Sequence, residues 1–188
     1  FMDSPMANAA TTIYTRYPED FNAHVKEELR GSGPFTFPGM VIIHKHKGQR
    51  LIAEALGAKV IIAGSGMMTG GRIVGHAATY LPIPSTRVLI VGWQGEQTLG
   101  RALLEGSRKV TIADKDVSVK ATVTDTQAMS AHADQQQLMD WLQSMKGVQK
   151  VFLTHGDDEP RQALAAKITK DLSIGDVALP RMHEEISV

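Results

Sequence analysis

Three short apolar runs rich in branched residues, Lys59 to Ala63, Arg87 to Val91 and Lys150 to Leu153, each end at a glycine or a polar corner: Gly64, Gly92 and Thr154. Runs of this length with such ends predict buried parallel strands. Helical spacing fills the intervals. Leu138, Trp141, Leu142 and Met145 share one face of a helix that Asp134 caps, with Gln137 three residues on completing a capping box and Gly147 supplying a stop. A second helix is predicted from Asp158 or Glu159, with Pro160 in its first turn and Leu164, Ala165 and Ile168 turned inward. A third follows Gly70 and Gly71 and presents Ile73, Ala77 and Leu81, and an early one runs from Met6 to Tyr17. Lys109 to Val123 alternates branched and charged residues and predicts a hairpin turning at Asp114, Lys115 and Asp116. Gly31 to Gly39, broken by Pro34 and Pro38, predicts a mobile loop. Strands alternating with helices make this an α/β protein with its functional groups at the strand ends.

Composition narrows the class. The 188 residues allow one domain or two small ones, and 43% hydrophobic with 21% charged residues is the balance of a globular chain. No apolar run reaches the roughly 18 to 20 residues of a membrane span, and the first residues carry no secretory pattern. With zero cysteines there are no disulfides and no thiolate ligands, so a metal would need histidine and carboxylate; a cytoplasmic protein fits. Twenty basic against twenty acidic residues excludes a protein that binds nucleic acid by bulk positive field. Between Met40 and Arg72, however, Lys45, Lys47, Arg50, Lys59 and Arg72 face only Glu54.

Candidate chemistry falls at the predicted strand ends. Ser65, Gly66, Met67, Thr69, Gly70, Gly71 and Arg72 lie between a strand and a helix, where backbone amides converge on an anion such as phosphate. The segment is not a P-loop, since Arg72 and Ile73 follow Gly71, nor a dinucleotide fingerprint, since Thr69 stands where glycine is required. A tight structural turn is the alternative. His132 precedes the Asp134 helix and His155 follows a strand; rigid flanks and an accessible ring suit a ligand or an acid–base group. Ser130, His132 and Asp134 are too close in sequence to form a triad. His44, Lys45 and His46 read as a solvated strand edge, His24 and His183 have no partner pattern, and His76, one turn after Arg72, is placed to approach a bound phosphate.

Five strings occur here in order: FMDSPMA at Phe1 to Ala7, AGSGMMTGGRI at Ala63 to Ile73, GWQGEQTLGR at Gly92 to Arg101, SAHAD at Ser130 to Asp134 and THGD at Thr154 to Asp157. Together they resemble the β-CASP branch of the metallo-β-lactamase superfamily, whose members include ribonuclease J and the cleavage-and-polyadenylation endonuclease. The resemblance implies a Rossmann-like parallel sheet of a β-CASP domain over residues 1–128, truncated at its N-terminal edge. It also implies a C-terminal segment, residues 129–188, that returns to complete a metallo-β-lactamase αββα domain and carries RNA specificity. By the same resemblance His132 is the general acid beside the scissile phosphate, His155 a zinc ligand, and the glycine-rich loop a phosphate contact. The family's HxHxDH motif and first acidic motif are not in this sequence. The chain therefore resembles the C-terminal part of a two-zinc RNA-processing nuclease, inactive by itself and partnered by RNA and by the N-terminal metallo-β-lactamase portion. A second reading is a non-catalytic module, or half of a split enzyme, that grips RNA through Arg72, Lys45, Lys47 and the glycine loop. A third is structural, with a homodimer covering the face that the absent half leaves bare.

Overall fold

The protein was analysed as a computed structural model that describes residues 1–29, 33, 35–44, 48–126, 129 and 132–186. Lys45, His46, Lys47 and Ser130, and Gly31, Ser32 and Pro34 of the predicted loop, lie outside the described residues. The chain divides into two compact units, Phe1–Ser130 and Ala131–Val188. Among the described residues no helix is long and apolar enough to cross a membrane.

The first unit is assembled around the carboxyl ends of parallel segments. Met2 bridges Ile42 on one side and Ile62 on the other, both in parallel, through Met2 N–H to Val41 O (2.9 Å), Ile43 N–H to Met2 O (2.9 Å) and Asp3 N–H to Ile62 O (2.8 Å). Helix α1 (Pro5–Tyr14) follows at once, because Ser4 caps it by accepting from Ala7 N–H and Pro5 presets its first turn. Helices α2 (Ala23–Leu29) and α3 (Gln49–Glu54) lead to the 59–63 run. That run was expected to be a buried strand. Among the described residues it makes a single bridge, at Ile62, with Phe1 to Asp3 as its one extended neighbour, and Val60 and Ile62 are exposed.

Helix α4 (Arg72–Tyr80) leads to strand β1 (Arg87–Ile90), and helix α5 (Leu99–Leu104) leads to the hairpin β2 (Lys109–Ile112) and β3 (Lys115–Ser118). Strand β4 (Thr122–Asp125) then pairs in parallel with β1, Arg87 opposite Thr122 and Ile90 opposite Asp125. The predicted hairpin therefore ends at Ser118, and its turn is Ala113–Asp114, both at positive φ (49° and 59°), while Lys115 and Asp116 belong to β3. Strand alternation puts Val110, Ile112 and Val117 inward to join Met68, Ala77, Leu81 and Leu103 in one core.

The second unit holds helix α6 (Gln135–Gln143), strand β5 (Val151–Phe152), helix α7 (Asp158–Leu172) and strand β6 (Val177–Ala178), which pairs in parallel with β5. The capping box is present as expected: Gln137 N–H donates to Asp134 Oδ1 and Asp134 N–H to Gln137 Oε1, each at 2.8 Å. The buried face of α6 differs from the expected one. Met139 and Leu142 join Ile168 in the core, and Trp141 is 63% exposed, because the stripe is rotated by about one residue.

The Ala113–Asp114 turn holds two side-chain-bearing residues in the left-handed region, where Asn-Gly is the favoured pair. Ala113→Asn with Asp114→Gly is expected to raise stability by about 1 kcal/mol in a urea titration; an unchanged or lower midpoint contradicts the turn assignment.

Candidate functional site

Asp3 is fully buried at the carboxyl end of the Met2 segment and is the hub of the first unit's site. Its Oδ1 accepts from Arg72 Nη1, and its Oδ2 meets His76 Nε2 at 2.7 Å and Gln49 Nε2 at 3.3 Å. Arg72 also donates to Ile43 O (3.1 Å) and His44 O (3.3 Å), leaving its side chain 9% exposed. One guanidinium thus ties the ends of the Met2 and Ile42 segments to the first turn of α4. Burial pushes the Asp3 carboxyl up. Hydrogen bonds from His76, Arg72 and Gln49, together with the Arg72 charge, outweigh it and hold the group below its ordinary value. His76 is therefore engaged with Asp3 instead of standing open to a phosphate.

Above this pair the glycine-rich loop is held at both ends. Ile73 N–H closes onto Gly64 O at 3.1 Å, and Met68 sinks its side chain into the core while Met67 turns out. Gly71 has φ +70°, and a Cβ there would stand 2.6 Å from Gly64 O, so no other residue fits without displacing the backbone. Among the described residues, no acceptor takes the N–H groups of Gly66, Met67, Thr69, Gly70 or Gly71, and no side chain caps α4. Ser65 Oγ and Thr69 Oγ1 lie 3.4 Å apart at the exposed rim. Unpaired amides, two hydroxyls and a helix N-terminus are groups with the chemistry to donate hydrogen bonds to an anion.

Gln94 supports the loop from behind. Its buried Nε2 donates to Gly66 O (3.0 Å), Gly92 O (3.0 Å) and Trp93 O (3.1 Å). Its Oε1 lies against Gly100, where a Cβ would collide with it. The glycine at the start of α5 is thus a packing requirement.

In the second unit, His132 and His155 come from separate loops, and their rings meet edge to face with centroids 6.4 Å apart. Both residues are exposed. His132 stands two residues before the capping aspartate of α6. His155 has φ +64° and is followed by Gly156 at +116° just before α7, a bend that lifts the ring off the end of β5. Arg161 fixes that bend from below: it donates to Leu153 O (Nη2, 2.9 Å) and Pro180 O (Nη2, 2.7 Å), joining the ends of β5 and β6. The sequence-predicted residues thus form two groups, Ser65 to Arg72 in the first unit and His132 with His155 in the second. Asp3, Gln94, Gly100 and Arg161 were not singled out from sequence. The only signal for Asp3 is a lone acid directly before Ser-Pro.

Removing the Asp3 charge leaves Arg72 buried and unpaired, so Asp3→Asn is expected to cost about 3–5 kcal/mol by chemical denaturation. Because the folded pKa is depressed, the pair's contribution is complete above the ordinary carboxyl value of about 3.9 and is lost as pH falls through the lower folded value. Wild-type stability is therefore expected to fall below about pH 4 more steeply than that of Asp3→Asn; parallel pH profiles would contradict this.

A family model described as the Beta-Casp domain matches residues 1–103, and one described as the Zn-dependent metallo-hydrolase RNA specificity domain matches residues 116–180. Over its whole length the chain is 33% identical to ribonuclease TTHA0252 of Thermus thermophilus, covering 43% of that protein. It is 29% identical to transcription termination factor FttA of Thermococcus kodakarensis over 88% of this chain and 27% of that protein. For FttA of Methanosarcina mazei the identity is 28%, over 93% of this chain and 29% of the relative. The chain thus spans less than half the length of these relatives. With matched domains over both of its units, it belongs to the β-CASP family of the metallo-β-lactamase superfamily.

Proposed function

We propose that this chain is the RNA-gripping, C-terminal part of a metal-dependent RNA-processing nuclease. The observation that carries the reading is the meeting of His132 and His155 from two separate loops at the amino ends of α6 and α7. In this reading the first unit is the β-CASP insert and the second the segment that completes a metallo-β-lactamase domain. The names of the relatives, a ribonuclease and a termination factor, support RNA as the partner.

The description of the second match implies zinc. Among the described residues no three His, Asp or Glu side chains converge, so these residues by themselves do not fit an ion that takes three or four protein donors. His155 would be one donor of a site whose other ligands lie outside the described residues. What the chain itself supplies is binding and proton transfer. The N–H groups of Gly66, Met67, Thr69, Gly70 and Gly71, with the hydroxyls of Ser65 and Thr69, donate to a phosphodiester oxygen, and Arg72 acts from below by holding the loop to Asp3. His132, on a rigid and accessible rim, donates a proton to the leaving oxygen.

In the full-length protein His132→Ala is expected to lower RNA hydrolysis by about 10²- to 10⁴-fold while leaving RNA affinity intact. Unchanged rates in both His132→Ala and His155→Ala would overturn the assignment. For the chain alone, the logarithm of the binding constant for single-stranded RNA is expected to fall linearly with the logarithm of salt concentration. Gly71→Ala, which deforms the cradle, is expected to weaken that binding. Absence of salt-dependent binding by the folded chain would refute the phosphate site.

A further inference from the structure

Trp93 is 57% exposed, and it stands one residue past Gly92 at the carboxyl end of β1, the side of an α/β sheet where ligands bind. It also sits beside the glycine-rich loop. The position a Cβ would take on Gly95 lies 3.2 Å from Trp93 Cζ3, 3.3 Å from Cη2 and 3.4 Å from Met67 Sδ, so the indole and the outward-turned loop methionine both flank a residue without a side chain. The buried Gln94 amide binds Trp93 O and Gly66 O together, fixing the backbone that carries the indole to the backbone of the anion cradle.

From this arrangement we infer that Trp93 is a base-stacking platform: a nucleobase of single-stranded RNA lies on the indole, with the Met67 thioether at its edge, while a neighbouring phosphate occupies the glycine-rich loop. This rests on the reading of the loop as an RNA phosphate site and adds a subsite to it. Stacking is chemically suited to the position because every base has a π-face, whereas the exposed indole and thioether offer no charge to a phosphate. Trp141, the other tryptophan, sits on the exposed face of α6 and has no such cradle on its own unit.

The test uses the chain carrying Trp141→Phe, so that Trp93 is the sole tryptophan, with far-ultraviolet circular dichroism confirming the fold of each variant. Two probes are titrated: oligoadenylate, and an abasic sugar-phosphate oligomer of equal length. Oligoadenylate is expected to quench Trp93 fluorescence and to bind more tightly than the abasic oligomer, which binds without quenching. Trp93→Ala is expected to weaken oligoadenylate binding roughly 5- to 150-fold and leave abasic binding unchanged, with Trp93→Phe restoring most of the loss. Equal affinities for the two probes, or oligoadenylate binding indifferent to Trp93→Ala, would overturn the stacking site and leave the phosphate site standing. Failure of both probes to bind would overturn the two together.

Discussion

The first unit depends on one buried ion pair. Asp3 and Arg72 are 69 positions apart in sequence, and their contact, extended by His76, Gln49 and the carbonyls of Ile43 and His44, sets where the parallel segments end relative to α4. A buried pair of this kind is a weak source of net stability, because both charges lose their water. It is a strong constraint on geometry: with either partner alone, an uncompensated charge would remain inside. The loop above it inherits that constraint, since Arg72 is both the clamp and the first residue of the helix whose amides the loop presents.

Two further devices turn a flexible, glycine-rich stretch into a defined surface. Met68 is planted in the core while its neighbour Met67 faces outward, and the Gln94 amide draws the Gly66 carbonyl towards the end of β1. Among the described residues, the N–H groups of Gly66, Met67, Thr69, Gly70 and Gly71 meet no protein acceptor.

The helices were the most legible part of the sequence. Asp134 with Gln137, Pro160 near the start of α7, and the glycines before Arg72 are local signals whose chemistry does not depend on the rest of the fold. The core face of α6 was not legible. Leu138, Met139, Trp141, Leu142 and Met145 spread apolar side chains around most of the helix, and only the small core of the second unit decides which of them is covered. The 59–63 run misled for a related reason, since an apolar run carries no information about how many neighbours will pair with it. His132 and His155 were visible as candidates, but their proximity is a tertiary fact. Asp3 was readable only as a lone acid before Ser-Pro inside one of the five quoted strings, and its partners lie up to 73 positions away.

The two cores are separate, and the second is small: three buried side chains, Met139, Leu142 and Ile168, ringed by half-buried neighbours. The paired imidazoles stand on that lesser core, while the amide cradle stands on the larger one. In the proposed reading, proton donation and phosphate binding therefore rest on different cores, and packing lost around Ile168 falls first on the histidine geometry.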